Sequence, residues 1–234
     1  MINALQRVLD LVAPRQCAIC GGRLAVGERL VCLACNMQLP RTDHLAHPYD
    51  NEMAKAFWGR VKHVEKAAAM IYYQAGSKAA YPIYNLKYHH RAGAGTVLGQ
   101  MMGAEMRQAG FLDDVDLLVP VPLTKGRQRE RGYNQSEMIA RGMGQVCGKP
   151  VRTDILVRKD FGASQTTMDR WARNANVEHA FELVGGDKIE NCHVLLVDDI
   201  VTTGATMCAC ANQLERAKGV RTSMAAIGFV DTRR

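Results

Sequence analysis

The run His193-Val194-Leu195-Leu196-Val197-Asp198-Asp199-Ile200-Val201-Thr202-Thr203-Gly204-Ala205-Thr206 constrains this chain more than any other stretch. Apolar residues in succession predict a buried strand over 193–198. Two adjacent carboxylates end it, a threonine-rich loop follows, and an amphipathic helix is predicted over 204–217. Strand, acid, acid, loop and helix in that order need a sheet whose strands end beside one another.

The rest of the chain supplies one. Strand-length apolar runs at 65–73, 115–121, 151–157 and 222–229 alternate with helix-length amphipathic stretches at 77–89, 95–109, 133–146 and 167–176. That alternation predicts an α/β domain over 61–234, a parallel sheet flanked by helices. Such sheets bind ligands at the carboxyl ends of their strands. Upstream, Ile2, Leu5, Leu9 and Val12 form a helical stripe that Pro14 ends. Residues 1–50 read as this helix plus a cysteine-bearing segment. Residues 51–60 read as a connection, with Phe57 and Trp58 packing back onto a neighbour.

With 47% hydrophobic and 23% charged residues over 234 positions, the chain is neither disordered nor fibrous. No uncharged apolar run approaches the roughly 20 residues of a membrane span. The first residues lack the basic start and apolar block of a secretory signal, so the expectation is a cytoplasmic protein without membrane insertion. The net charge of +7 favours polyanionic partners.

Cys17 and Cys20 are separated by two residues, as are Cys32 and Cys35, and eleven residues lie between the pairs. Two tight turns at the ends of a short hairpin would aim four thiolates at one ion, and Zn²⁺ accepts that tetrahedral set. The site is closed, hence structural. An iron–sulfur cluster uses the same ligands. His44 and His47 read as solvated loop residues. Cys147, Cys192, Cys208 and Cys210 read as small core residues, and Met101, Met102 and Met106 as core packing.

In the acidic run, backbone N–H groups at a helix N-terminus attract an anion, most readily a phosphate. Gly204 clears space for close approach, and Thr202, Thr203 and Thr206 add hydroxyl donors around Ala205. Asp198 and Asp199 suit sugar hydroxyls, directly or through a divalent ion. Neither a Walker loop nor a dinucleotide fingerprint is present. Upstream, Val119-Pro120-Val121-Pro122-Leu123 ends a strand, and Lys125, Arg127, Arg129 and Arg131 follow between Gly126 and Gly132. These cations are either a mobile loop that closes over phosphates or a solvated charge run.

The acidic run resembles the 5-phosphoribosyl-1-pyrophosphate (PRPP) motif of type I phosphoribosyltransferases. Together with Leu86-Lys87-Tyr88, Arg131-Gly132-Tyr133-Asn134-Gln135, Gln165, Arg173-Asn174, Ala180-Phe181 and the four cysteines, it resembles the ComF family. That resemblance implies a phosphoribosyltransferase fold, an N-terminal zinc ribbon and a link to DNA uptake. Some relatives carry further metal-binding cysteines near 36–60; this chain has none, which implies a single zinc. Two functions then stand. As an enzyme, the protein would bind PRPP with Mg²⁺ and transfer phosphoribose to an unknown nitrogen acceptor. Asp198 and Asp199 would hold the ribose, Thr202 to Thr206 the 5-phosphate, and Lys125 to Arg131 the pyrophosphate. As a binding module, it would sense PRPP or engage single-stranded DNA or DNA-uptake proteins. Gln165, Arg170 and Arg173 face the ligand or pair along their own helix. Lys87 to Arg91 form a basic, aromatic cluster that touches ligand or simply covers a helix surface.

Overall fold

The computed structural model describes residues 14–88, 92–159 and 180–231. The helices expected over 2–12 and 167–176 lie outside them, as do His89, His90, Arg91, Gln165, Arg170, Arg173 and Asn174. In chain order the elements are α1 (Leu33–Met37), α2 (Glu52–Lys55), β1 (Val64–Tyr72), α3 (Tyr81–Tyr88), α4 (Ala92–Gln108) and β2 (Leu117–Pro120). Then come α5 (Lys125–Arg131), α6 (Gln135–Cys147), β3 (Leu156–Arg158), β4 (Phe181–Leu183), β5 (His193–Val201), α7 (Ala205–Leu214) and β6 (Arg221–Phe229). Four strands form a parallel sheet in the order β1-β6-β5-β2, and β3 and β4 pair antiparallel on their own.

The strands are apolar on successive residues because both faces are covered. On one face Leu195, Val197, Ala225 and Ile227 meet Ile83, Leu98, Met102, Met106, Ile139 and Met143 from α3, α4 and α6. On the other, Val194, Leu196, Met224 and Ala226 meet Met207, Cys210, Leu214 and Phe181 from α7 and β4. At the amino ends of the strands, buried Lys66 donates to the Phe111 carbonyl (2.7 Å) and to the Asp114 carboxylate (2.5 Å), so its charge is paired.

Helices α4 and α6 touch almost backbone to backbone. A Cβ on Gly99 would stand 2.0 Å from the Ile139 carbonyl oxygen, and one on Gly142 2.1 Å from that of Thr96. Gly103 faces the Met143 Cα at 3.0 Å from the same hypothetical position. These glycines set how deep α6 sits, and α6 carries its first turn to the end of β5.

Several expectations change. The strand expected over 151–157 is split. Val151 bridges Leu118 at the sheet edge, whereas Leu156–Arg158 pairs with β4. Each half follows its own partner, and between them Asp154 accepts from Arg152 (2.9 Å) and Lys188 (2.7 Å). The helix expected over 77–89 begins as a 3₁₀ turn at Lys78–Ala80 before α3. Phe57 is fully buried as expected, but Trp58 is exposed, with Lys55 near its ring. His44 is buried rather than solvated, whereas His47 is exposed. Cys208 and Cys210 are core residues; Cys147 and Cys192 are only partly buried. Among the described residues no helix is long and apolar enough to cross a membrane.

Gly99→Ala has backbone atoms in its way and must separate the two helices. A loss of about 1–3 kcal/mol in urea unfolding is expected. Gly93→Ala, on the same helix with nothing within 4 Å, is expected to lose nothing.

Candidate functional site

Strand β2 ends at Pro120, and Val121 still donates its N–H to the Val197 carbonyl (2.9 Å). Pro122 has no N–H to continue the ladder, so the chain turns away. β5 runs on to Val201. The chain after β2 leads to α6 on one face of the sheet, and the chain after β5 leads to α7 on the other. Neighbouring parallel strands whose helices depart to opposite faces leave a crevice between their carboxyl ends.

Asp198 and Asp199 sit on the floor of that crevice, 9% and 8% exposed. They lie within β5, which extends three positions beyond the strand expected from sequence. Asp198 Oδ1 accepts from the Ser136 hydroxyl (2.8 Å) and from the Asp199 N–H (2.8 Å). Asp199 Oδ1 accepts from the Ile200 N–H (2.7 Å). One oxygen of each carboxylate is thus pinned, which fixes the direction of the side chain. Pinned carboxylates suit sugar hydroxyls or a divalent cation.

Thr202, Thr203, Gly204, Ala205 and Thr206 form the wall above Asp198 and lead into α7. Thr202 and Thr203 are exposed. Gly204 is the N-cap of α7 at φ 75°. A Cβ there would meet the Phe57 ring at 2.9 Å. Glycine is therefore required by backbone conformation and by the ring behind it, a different reason from the ligand clearance expected. The N-terminal end of α7 gives this wall a partial positive charge.

The basic segment forms a helix, α5, where the sequence offered a loop or a solvated charge run. Thr124 caps α5 by accepting the Arg127 N–H (3.3 Å), and Gly132 at φ 77° closes it by donating to the Gln128 carbonyl (2.8 Å). α5 has no buried residue, so no apolar stripe betrayed it in the sequence. Lys125, Arg127 and Arg129 are exposed, and Arg131 donates to Gln135 Oε1 (3.0 Å). Beyond it, Tyr133 Oη and Gln135 Nε2 both donate to the Leu86 carbonyl (2.6 and 3.2 Å), and Asn134 Nδ2 donates to the Val121 carbonyl (2.9 Å). Two sequence stretches far apart are clipped together there. Ser136, which holds Asp198, was missed because a serine near a helix start reads as capping.

Cys17, Cys20, Cys32 and Cys35 offer sulfurs that all lie within 4.8 Å of one another. Cys20 and Cys32 Sγ are 3.9 Å apart, against about 3.8 Å for the edge of a tetrahedron with Zn–S near 2.3 Å. The first pair lies on a turn closed by Gly21 at φ 74°, as expected. The second pair lies at the start of α1, with Cys32 as N-cap, instead of on a turn. Burial opposes ionisation of Cys17, but the N–H groups of Cys20, Cys32 and Ile19 outweigh it and bring the thiol to about 6. Four convergent soft donors with N–H groups aimed at sulfur fit a structural zinc ion.

No protein-family model matches the chain. The DNA utilization protein YhgH of Escherichia coli O157:H7 is 26% identical over 222 residues, covering 88% of this chain and 93% of that protein. Competence protein F of Haemophilus influenzae is 23% identical over 201 residues, covering 82% and 87%. Competence protein ComFC of Bacillus subtilis is 32% identical over 108 residues, 46% of this chain and 42% of that one. The chain is homologous to the ComF competence proteins. Among solved structures, glutamine PRPP amidotransferase from B. subtilis shares 21% identity over 58% of this chain and 26% of its own, at a TM-score of 0.38. A hypoxanthine phosphoribosyltransferase from Staphylococcus aureus shares 15% over 60% and 76%, at a TM-score of 0.36.

Two more features of this ComF homologue flank the loop. Beyond Thr202 a cavity of about 770 Å³ is walled by Pro40, Tyr72, Tyr73 and Asp231. Gly228 seats Tyr73, since a Cβ there would stand 2.9 Å from that of Tyr73. His44 accepts the Ala69 N–H at Nδ1 (3.2 Å), so its neutral ring carries the proton on Nε2, 3.4 Å from Glu52. Burial holds it neutral against the pull of Glu52. A protonated Nε2 is no metal ligand, so Asp43, His44 and Glu52 are no second metal centre; Nε2 is buried near the Glu52 carboxylate without a hydrogen-bond partner among the described residues.

Among the described residues of the cysteine-bearing segment only Cys17, Leu24 and Val31 form a buried cluster of its own, too small a core for the segment to fold without a metal ion. Purified protein is expected to carry about one zinc per chain by elemental analysis. Cys32→Ser should lose it while the circular dichroism of the parallel sheet domain persists.

Proposed function

We propose that the crevice binds PRPP with Mg²⁺ and that the protein transfers phosphoribose to a nitrogen acceptor, serving DNA uptake in the cytoplasm. One observation carries this reading: two carboxylates pinned by Ser136 and by the backbone stand at the foot of a threonine-lined helix start, and a cationic helix follows the neighbouring strand. Asp198 and Asp199 hold the ribose hydroxyls. Thr202 to Thr206 hold the 5-phosphate with hydroxyls and backbone N–H groups. Lys125, Arg127, Arg129 and Arg131 face the pyrophosphate from the opposite rim. Mg²⁺, when bound, neutralises pyrophosphate charge. The cavity beside Thr202 takes the acceptor, because it adjoins the loop and its tyrosines suit a flat nitrogen compound. The acceptor nitrogen's lone pair forms the bond to the anomeric carbon. The electrons of the breaking C–O bond leave with pyrophosphate, and the nitrogen's proton goes to water. The protein's share is positioning and charge stabilisation.

Asp199→Asn removes a charge from the floor without altering side-chain volume. Pyrophosphate release from PRPP in the presence of a panel of bases and amines is expected to fall at least about 100-fold, with zinc content unchanged. Equal release in wild type and variant counts against this site.

The exposed cationic helix favours a second reading, single-stranded DNA binding without catalysis, in keeping with the names of the relatives. It predicts that affinity for an oligonucleotide falls steeply with salt, with a log–log slope of about −0.7 per phosphate contacted. Replacing Lys125 and Arg129 by alanine should flatten that slope. A salt-independent affinity removes this reading and leaves the first untouched.

A further inference from the structure

Arg60 lies outside every motif in the sequence, yet it reaches the loop at its turning point. Its Nη1 donates to the Thr203 carbonyl at 2.5 Å and to the Ala56 carbonyl at 3.0 Å. Its own carbonyl accepts from Asn212 Nδ2 of α7 (3.2 Å), so the arginine is tied to the helix whose start it touches. Phe57, fully buried, packs on the same side of Gly204.

A trans peptide is planar, and its C=O and N–H point in opposite directions. Among the described residues no peptide bond is cis. Holding the Thr203 oxygen toward Arg60 therefore turns the Gly204 N–H away from Arg60, toward the open side of the loop. Among the described residues no acceptor is found for that N–H. Released from Arg60, the Thr203–Gly204 peptide is free to rotate, because glycine tolerates many conformations.

We infer that Arg60 is a positioning residue: it fixes the Thr203–Gly204 peptide so that the Gly204 N–H is presented to the 5-phosphate. This rests on the PRPP reading above. It predicts a selective defect, since the peptide serves the 5-phosphate and not the pyrophosphate, which meets the other rim.

The test is calorimetric titration of ribose 5-phosphate and, separately, of magnesium pyrophosphate into zinc-loaded protein. Arg60→Ala is expected to weaken ribose 5-phosphate about tenfold and to leave pyrophosphate within about twofold. Arg60→Lys, which retains a donor, should recover part of the loss. The ratio should persist at about 0.5 M salt, where steering by a distant charge is screened. Unchanged ribose 5-phosphate binding in Arg60→Ala, equal loss of both ligands, or a ratio that collapses in high salt overturns the assignment and leaves the donor site standing. Wild-type protein that binds neither ligand overturns both.

Discussion

Backbone contact between α4 and α6 is the constraint on which the site depends. Gly99 and Gly142 each lack the one atom that would collide with a carbonyl of the facing helix. The helices consequently sit close, and α6 is held against β2 and β5. Its first turn then delivers Ser136 to Asp198 and Asn134 to the Val121 carbonyl. A fold with the same strands but wider helix spacing would leave Asp198 without that partner.

Charge is unevenly distributed around the crevice. Carboxylates line the floor, where hydroxyls or a metal ion suit them. The start of α7 borders them with its partial positive charge, and the cationic α5 follows the neighbouring strand β2 in the chain. Because α5 is a capped helix, its cations are spaced by helical geometry. Arg131 is tied further to α6 through Gln135. Behind the loop, Phe57 and Arg60 come from a stretch that links the ribbon to the sheet. The N-terminal part of the chain thereby reaches the centre of the site.

The legible parts of the sequence were those with local chemistry. The four cysteines converge as their spacing implied, because two-residue intervals hold sulfurs within reach of one ion. The acidic run formed strand, loop and helix in the order read. The basic segment was not legible as a helix: Lys-Gly-Arg-Gln-Arg-Glu-Arg contains no apolar residue, so periodicity had nothing to report. The split of 151–157 escaped because its two halves pair with distant residues, Val151 with Leu118 and Leu156–Arg158 with β4. His44 looked like a loop histidine until the edge of β1 closed over it.

Read alone, the sequence determined the order of its chemically distinctive residues and the four strands of the parallel sheet. Those properties depend on neighbours a few positions away: a buried run, a cap, a pair of thiols. Tertiary structure decided what faces what. Only folding sets the end of β2 beside the continuing β5, sends the next helices to opposite faces, and opens a crevice there. Only folding brings Ser136 to Asp198, Tyr133 to the Leu86 carbonyl and Arg60 to Thr203. These contacts join residues far apart along the chain, and their geometry follows from packing between helices and sheet, for which no local pattern exists.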